Sequence, residues 1–181
     1  MKFNKQICTL LLIGSLSATG VRTYAQQNVK MTQKKETNEK MGTNAGTDLK
    51  VLFGVGFPND AYAQYFTGKS YVNPIFTPTP ENPMAISNVT FEPGCRNNWH
   101  IHSTEQILLV TDGTGWYQEE GLPARLLHAG DTVVIKAGVK HWHGASADSP
   151  FAHIAISNNV LTGKTDWLEP VSDEEYMKLG K

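Results

Sequence analysis

Between residues 84 and 157 the chain alternates short apolar runs with clusters of turn residues. That pattern predicts strands at 84–91, 99–102, 106–111, 115–118, 125–127, 132–135, 141–143 and 151–156. The intervening turns are expected at Glu92-Pro93-Gly94, Asp112-Gly113, Glu120-Gly121-Leu122-Pro123, Ala129-Gly130-Asp131, Ala137-Gly138 and Asp148-Ser149-Pro150. No long amphipathic helical period interrupts them, so an all-β sandwich or barrel is the expected architecture. A lead-in rich in glycine and aromatic residues precedes this core, and 71–76 reads as a first strand. At the other end, Ser172 followed by Glu175 has the spacing of a capping box, which predicts a short C-terminal helix.

Two departures from simple alternation carry information. Ile107-Leu108-Leu109-Val110 and Val133-Val134-Ile135 are apolar at both parities. Such strands are usually covered on both faces, and a small barrel has one inside, so a homodimer through the outer face is expected. The second departure is polar. His100, His102 and Gln106 share one parity and so point to one side of a strand region. Neutral imidazoles and an amide oxygen are metal donors, and His141 in a second apolar segment is a fourth candidate. Glu105 has the wrong parity for this group. A lone strand histidine is usually a satisfied core residue; His128, just before the Ala129-Gly130 turn, is read as structural. Trp99, Trp116 and Trp142 are read as packing residues.

Composition narrows the class of protein. With 40% hydrophobic and 18% charged residues over 181 positions, one folded domain with extra ends is expected. A formal charge of −1 gives no basic field for nucleic acid. Residues 1–25 have the order of a secretory signal, with Lys2 and Lys5, an apolar run and a small residue at Ala25. The apolar run is too short to span a bilayer comfortably, so a cleaved, membrane-free product that is secreted or periplasmic is expected. Cleavage would remove Lys2, Lys5 and Arg22, leaving 13 basic and 17 acidic residues. Only Cys95 would remain of the two cysteines, which rules out an internal disulfide in that product. Cys95 reads as a buried core residue. Residues 26–48 are polar and aperiodic and read as a flexible linker; a single domain is expected at 49–181.

The spacings around the histidines resemble the two motifs of the cupin superfamily. Gly94, five residues, His100-Ile101-His102, three residues, Gln106, six residues and Gly113 match the first, with Gln in place of the usual Glu. Gly130, Gly138 and His141 match the second, where Lys136 replaces a proline and Ala145 an asparagine. The resemblance implies a cupin-type double-stranded β-helix, a jelly-roll barrel with a metal in its mouth. The Gln variant and the phrases at 66–68, 89–94, 140–145 and 166–167 are similar to small manganese-binding cupins of the hydroxynitrile lyase type. That similarity implies ligands His100, His102, Gln106 and His141, a divalent metal (Mn first, then Fe, Zn or Ni), His153 as catalytic base and His143 beside it.

The chemistry is coherent. Three imidazoles and an amide are neutral, so they leave an ion close to its full 2+ charge, a stronger Lewis acid than one with a carboxylate ligand. A nearby neutral histidine can take the proton of an acidified hydroxyl. The activity that the similarity implies is reversible cleavage of a small-molecule cyanohydrin to aldehyde and cyanide, and this chemistry is consistent with it. Two other readings stay open: an oxygen-using Mn or Fe cupin resembling dioxygenases, and a non-catalytic cupin that binds a metal or small ligand.

Overall fold

Residues 51–180 are described by the structure, a computed structural model. The expected signal at 1–25 and nearly all of the region before the domain, including the linker at 26–48, lie outside the described residues. The chain runs through β1 (Phe57–Pro58), a 3-10 turn (Asp60–Tyr65), β2 (Phe66–Thr67), β3 (Ser70–Phe76), β4 (Ala85–Phe91), β5 (Arg96–Asn97) and β6 (His100–His102). It continues through β7 (Gln106–Glu119), β8 (Arg125–His128), β9 (Thr132–Ile135), β10 (Lys140–Ala145), β11 (Phe151–Ser157), β12 (Thr165–Trp167) and α1 (Asp173–Tyr176). All strand pairs are antiparallel. The architecture is the expected all-β jelly roll with one short C-terminal helix. Among the described residues no helix is long and apolar enough to cross a membrane.

One long strand joins the two faces of the barrel. The first part of β7 pairs with β11 and β9, and the last part pairs with β10 and β8. Two strands with a turn at Asp112-Gly113 were expected here; the chain forms one strand of 14 residues instead. The reason is a bulge. Ala152 pairs with Asp112 and His153 with Val110, so Thr111 has no opposite residue. Gly113 absorbs the distortion at φ +68°, with Asp112 Oδ1 accepting from its N–H at 2.8 Å. A Cβ at Gly113 would lie 1.8 Å from the Pro150 carbonyl oxygen, so only glycine fits. The turn residues therefore bend a strand without ending it.

Alternation then separates core from surface. Leu108, Val110, Val133 and Ile135 enter a cluster with Phe91, Cys95, Tyr117, Leu127, Ala145 and Phe151. Leu109 and Val134 point outward and are exposed. Burial, with a contribution from Glu92, pushes the Cys95 thiol up to about 12, so it is an inert core residue. A second cluster lies behind β10, where Trp99, Trp142, Val171 and Tyr176 pack together. It seats α1, whose capping box between Ser172 and Glu175 is formed as expected. Arg96 clamps the helix by donating to the Val171 carbonyl at 3.1 Å and to Asp173, and it lies 4.5 Å over the Tyr176 ring. Trp142 therefore faces away from the histidines beside it in β10, as a packing residue.

Candidate metal centre

Four strands bring the polar residues together at one end of the barrel. β6 supplies His100 and His102, the start of β7 supplies Gln106, β10 supplies His141 and His143, and β11 supplies His153. Alternation decides which side chains turn inward. Gln106 is buried while Glu105 is exposed. His141 and His143 share the inward face of β10, and His153 is fully buried. All six residues singled out from the sequence lie in one neighbourhood. His128 sits apart, exposed at the end of β8.

Ring centroids of His100 and His141 are 4.1 Å apart, those of His100 and His102 4.9 Å, and those of His102 and His141 5.4 Å. One ring nitrogen each of His100, His141 and His143 lie within 4.8 Å of one another, a three-histidine group able to hold a metal ion. Hydrogen bonds at the ring edges decide what each offers. His100 Nδ1 is 2.8 Å from the Asn98 carbonyl and His141 Nδ1 is 3.0 Å from the Val139 carbonyl. A carbonyl only accepts, so both Nδ1 atoms carry the proton and both Nε2 atoms keep a lone pair. Thr165 Oγ1, 3.0 Å from His102 Nδ1, can accept in the same way. Gln106 donates from Nε2 to Ser157 Oγ at 3.0 Å, which leaves Oε1 as its inward atom. His102 Nε2, His141 Nε2 and Gln106 Oε1 are buried with no partner among the described residues.

Orphaned buried acceptors are costly unless something pairs with them. A divalent cation satisfies several at once, and neutral His and Gln donors fit such an ion. Outward N–H groups tied to oxygen are the usual supports of metal-binding histidines. His143 differs. Asn97 Oδ1 accepts from the His143 backbone N–H at 2.9 Å, so the Asn97 amide nitrogen is the atom 3.1 Å from His143 Nε2. His143 Nε2 therefore accepts, and its proton sits on Nδ1. Despite its proximity to His100 and His141, His143 in this tautomer offers no free lone pair.

Burial dominates the electrostatics. It holds His100 and His143 well below the ordinary histidine value, helped by the neighbouring imidazoles. Burial with His141 nearby brings His102 down to about 4, and burial alone brings His153 down to about 3. The cluster is neutral at working pH, the state required of ligands and of a base. His153 has neither ring nitrogen partnered among the described residues. Its ring stacks on Phe91 at 5.7 Å and meets His143 edge-on at 5.0 Å. Trp167, stacked on Tyr65 at 4.7 Å, lies 4.7 Å from the His100 ring.

Asn97, Ser157, Thr165 and Trp167 were not singled out as site residues, although the resemblance had touched the Asp166-Trp167 pair. Each acts through a partner far away in sequence, and no local period marks them.

Comparisons with known proteins identify the family to which this fold belongs. The family model described as Cupin domain matches residues 87–157. A protein named (R)-mandelonitrile lyase from Granulicella tundricola is 41% identical over 116 residues, covering 64% of this chain and 88% of that one. The chain belongs to the cupin family. A crystal structure of a cupin-like protein from Thermotoga maritima is 45% identical, covers 66% of this cupin and 92% of its own chain, and superposes with a TM-score of 0.63. A cupin 2 conserved barrel domain protein from Rhodopseudomonas palustris, at 15% identity, covers 68% of this chain and 81% of its own with a TM-score of 0.52, and speaks to the fold alone.

Proposed function

We propose that this cupin is a metal-dependent lyase that reversibly cleaves a cyanohydrin to an aldehyde and cyanide. The observation that carries the reading is a fully buried His153, with no hydrogen-bond partner among the described residues, beside a cluster of inward lone pairs, in a chain 41% identical over 116 residues to a mandelonitrile lyase. His100, His102 and His141 through Nε2, and Gln106 through Oε1, would hold the ion, with Mn favoured by the resemblance. When bound, the ion supplies Lewis acidity to the substrate oxygen.

The protein's own residues do the rest. His153, neutral and with no competing partner among the described residues, accepts the hydroxyl proton. The bond between the carbinol carbon and the nitrile carbon then breaks, and its electron pair leaves with cyanide. The carbinol becomes an aldehyde, and His153 returns the proton to give hydrogen cyanide. Phe91 and Trp167 lie against the histidines, with Phe66 packed on both, an aromatic lining that suits an aryl cyanohydrin. The N-terminal segment supports a secreted or periplasmic location for this chemistry.

Two predictions test the assignment on one preparation. Replacing His100 and His102 by Ala should abolish stoichiometric metal in elemental analysis; unchanged metal content would disprove the ligand set. His153→Ala should keep its metal and lose about a hundredfold or more in mandelonitrile cleavage, the usual scale for a lost acid–base group. Normal turnover in that variant would remove the base. A metal-loaded wild type with no turnover of any cyanohydrin would overturn the lyase reading.

A further inference from the structure

His143 has its ring polarity reversed relative to His100 and His141. Those two give their Nδ1–H to backbone carbonyls and keep Nε2 for the centre. His143 instead receives a hydrogen bond at Nε2 from the Asn97 amide, because Asn97 Oδ1 is already committed to the His143 backbone N–H. Asn97 and His143 are both buried, at 3% and 6% exposure, so water does not compete for these positions. Asn97 is itself fixed in β5, next to Arg96, which pairs with Gly144 of β10. The remaining ring atom, His143 Nδ1, is buried and has no partner among the described residues. The ring lies beside His153 at 5.0 Å, and one of its nitrogens is within 4.8 Å of ring nitrogens of His100 and His141.

We propose that Asn97 is a positioning residue that holds His143 as the Nδ1–H tautomer, so that His143 donates a hydrogen bond to an acceptor atom of the bound ligand. His143 then neither ligates the metal nor takes the substrate proton. The buried cluster thus sets a donor, His143, beside an acceptor, His153. A small ligand with a hydroxyl at one end and an acceptor atom at the other satisfies both. The nature of that acceptor rests on the lyase reading, under which it is the nitrile nitrogen and then the departing cyanide. The tautomer does not depend on that reading.

The test uses the full chain loaded with zinc, a diamagnetic ion, and labelled with 15N in histidine. Long-range proton–nitrogen correlations at alkaline pH should show His143 protonated at Nδ1 in the wild type. In Asn97→Asp the carboxylate can only accept, so the proton should move to Nε2. Wild-type His143 protonated at Nε2, or an unchanged tautomer in Asn97→Asp, would overturn the proposal, and the wild-type spectrum decides even if the variant does not fold. His143→Phe should retain stoichiometric zinc and bind azide, a linear anion with a terminal acceptor nitrogen, about tenfold or more weakly by calorimetry. Loss of zinc in that variant would make His143 a ligand, and unchanged azide affinity would deny it the donor role. If these results hold while no cyanohydrin is turned over, the lyase reading fails and the donor assignment stands.

Discussion

His153 is fully buried, and burial alone sets its behaviour. Its folded value of about 3 lies below the 6.5 of an unperturbed histidine. Between those two values the unfolded chain binds a proton that the folded chain refuses, so stability rises with pH across this window. The stability is present in full above 6.5 and is lost as pH falls toward 3. One group with this shift costs about 2 kcal/mol by pH 5. The other buried histidines add losses of the same sign, so we expect urea unfolding of metal-free protein to weaken between pH 7 and pH 5, by about 2 kcal/mol less in His153→Phe than in the wild type. The phenyl ring would sit among Phe91 and Phe151 without titrating. Parallel slopes for the two proteins would refute the assignment. His100, His102, Gln106 and His141 were legible as candidates because spacing and strand parity are local properties, while His153 came only from the family resemblance. The protonation pattern of the histidines was not legible, since it depends on Asn98, Val139 and Asn97, whose positions opposite the rings follow from the fold.

Most strands of four or more residues lie where they were expected, and so does three-residue β6, while β7 was read as two strands and the 3-10 turn at Asp60–Tyr65 was missed. Strand β9 ends where its flanking turns place it, and α1 follows its capping box. Strands β1, β2, β5 and β12 have two or three residues each, too few to show a period. Their pairing partners define them. β12 shows why such pieces matter. It pairs with β6 in the register Thr165 to His102 and Trp167 to His100, laying one residue against each histidine of β6. Backbone bonds from Ser103 N–H to the Lys164 carbonyl and from Leu168 N–H to the Trp99 carbonyl hold it at both ends. Thr165 Oγ1 then orients the His102 ring. Thr165→Val preserves shape and removes that oxygen. Metal affinity should fall by about tenfold or more, the common effect of losing a partner behind a metal-binding histidine. Competition with a chelator measures it, and wild-type affinity in the variant would show that β12 contributes only packing.

At the scale of the whole molecule, the outer face of the barrel is arranged in rows by strand register. One row is polar and covered: Asn73 and Asn88 donate to the Phe53 and Gly54 carbonyls of the lead-in at 2.6 and 2.9 Å. Gly56 lets this segment lie close, because a Cβ there would be 2.3 Å from the Val72 carbonyl oxygen. The next row is apolar across five strands. Val134 pairs with Ile107, Ile107 with Ile156, Ile156 with Ile86, and Ile86 with Phe76. At the usual strand spacing the row spans about 20 Å. Its ends are open, with Val134 at 55% exposure and Phe76 at 36%, and exposed Leu109 and Ile75 extend it. Contiguous apolar surface of this kind is uncommon on monomers and is the simplest reason for apolar residues at both parities of β7 and β9. A second copy meeting the first across a two-fold axis would cover both rows of the pair together. Light scattering on the chain lacking residues 1–25 should therefore give about twice the monomer mass. Ile107→Lys, which puts a charge at the row's centre while leaving Leu108 in the core, should give a folded monomer with its metal retained. A wild-type protein that is strictly monomeric at micromolar concentration would show that this surface serves some other contact.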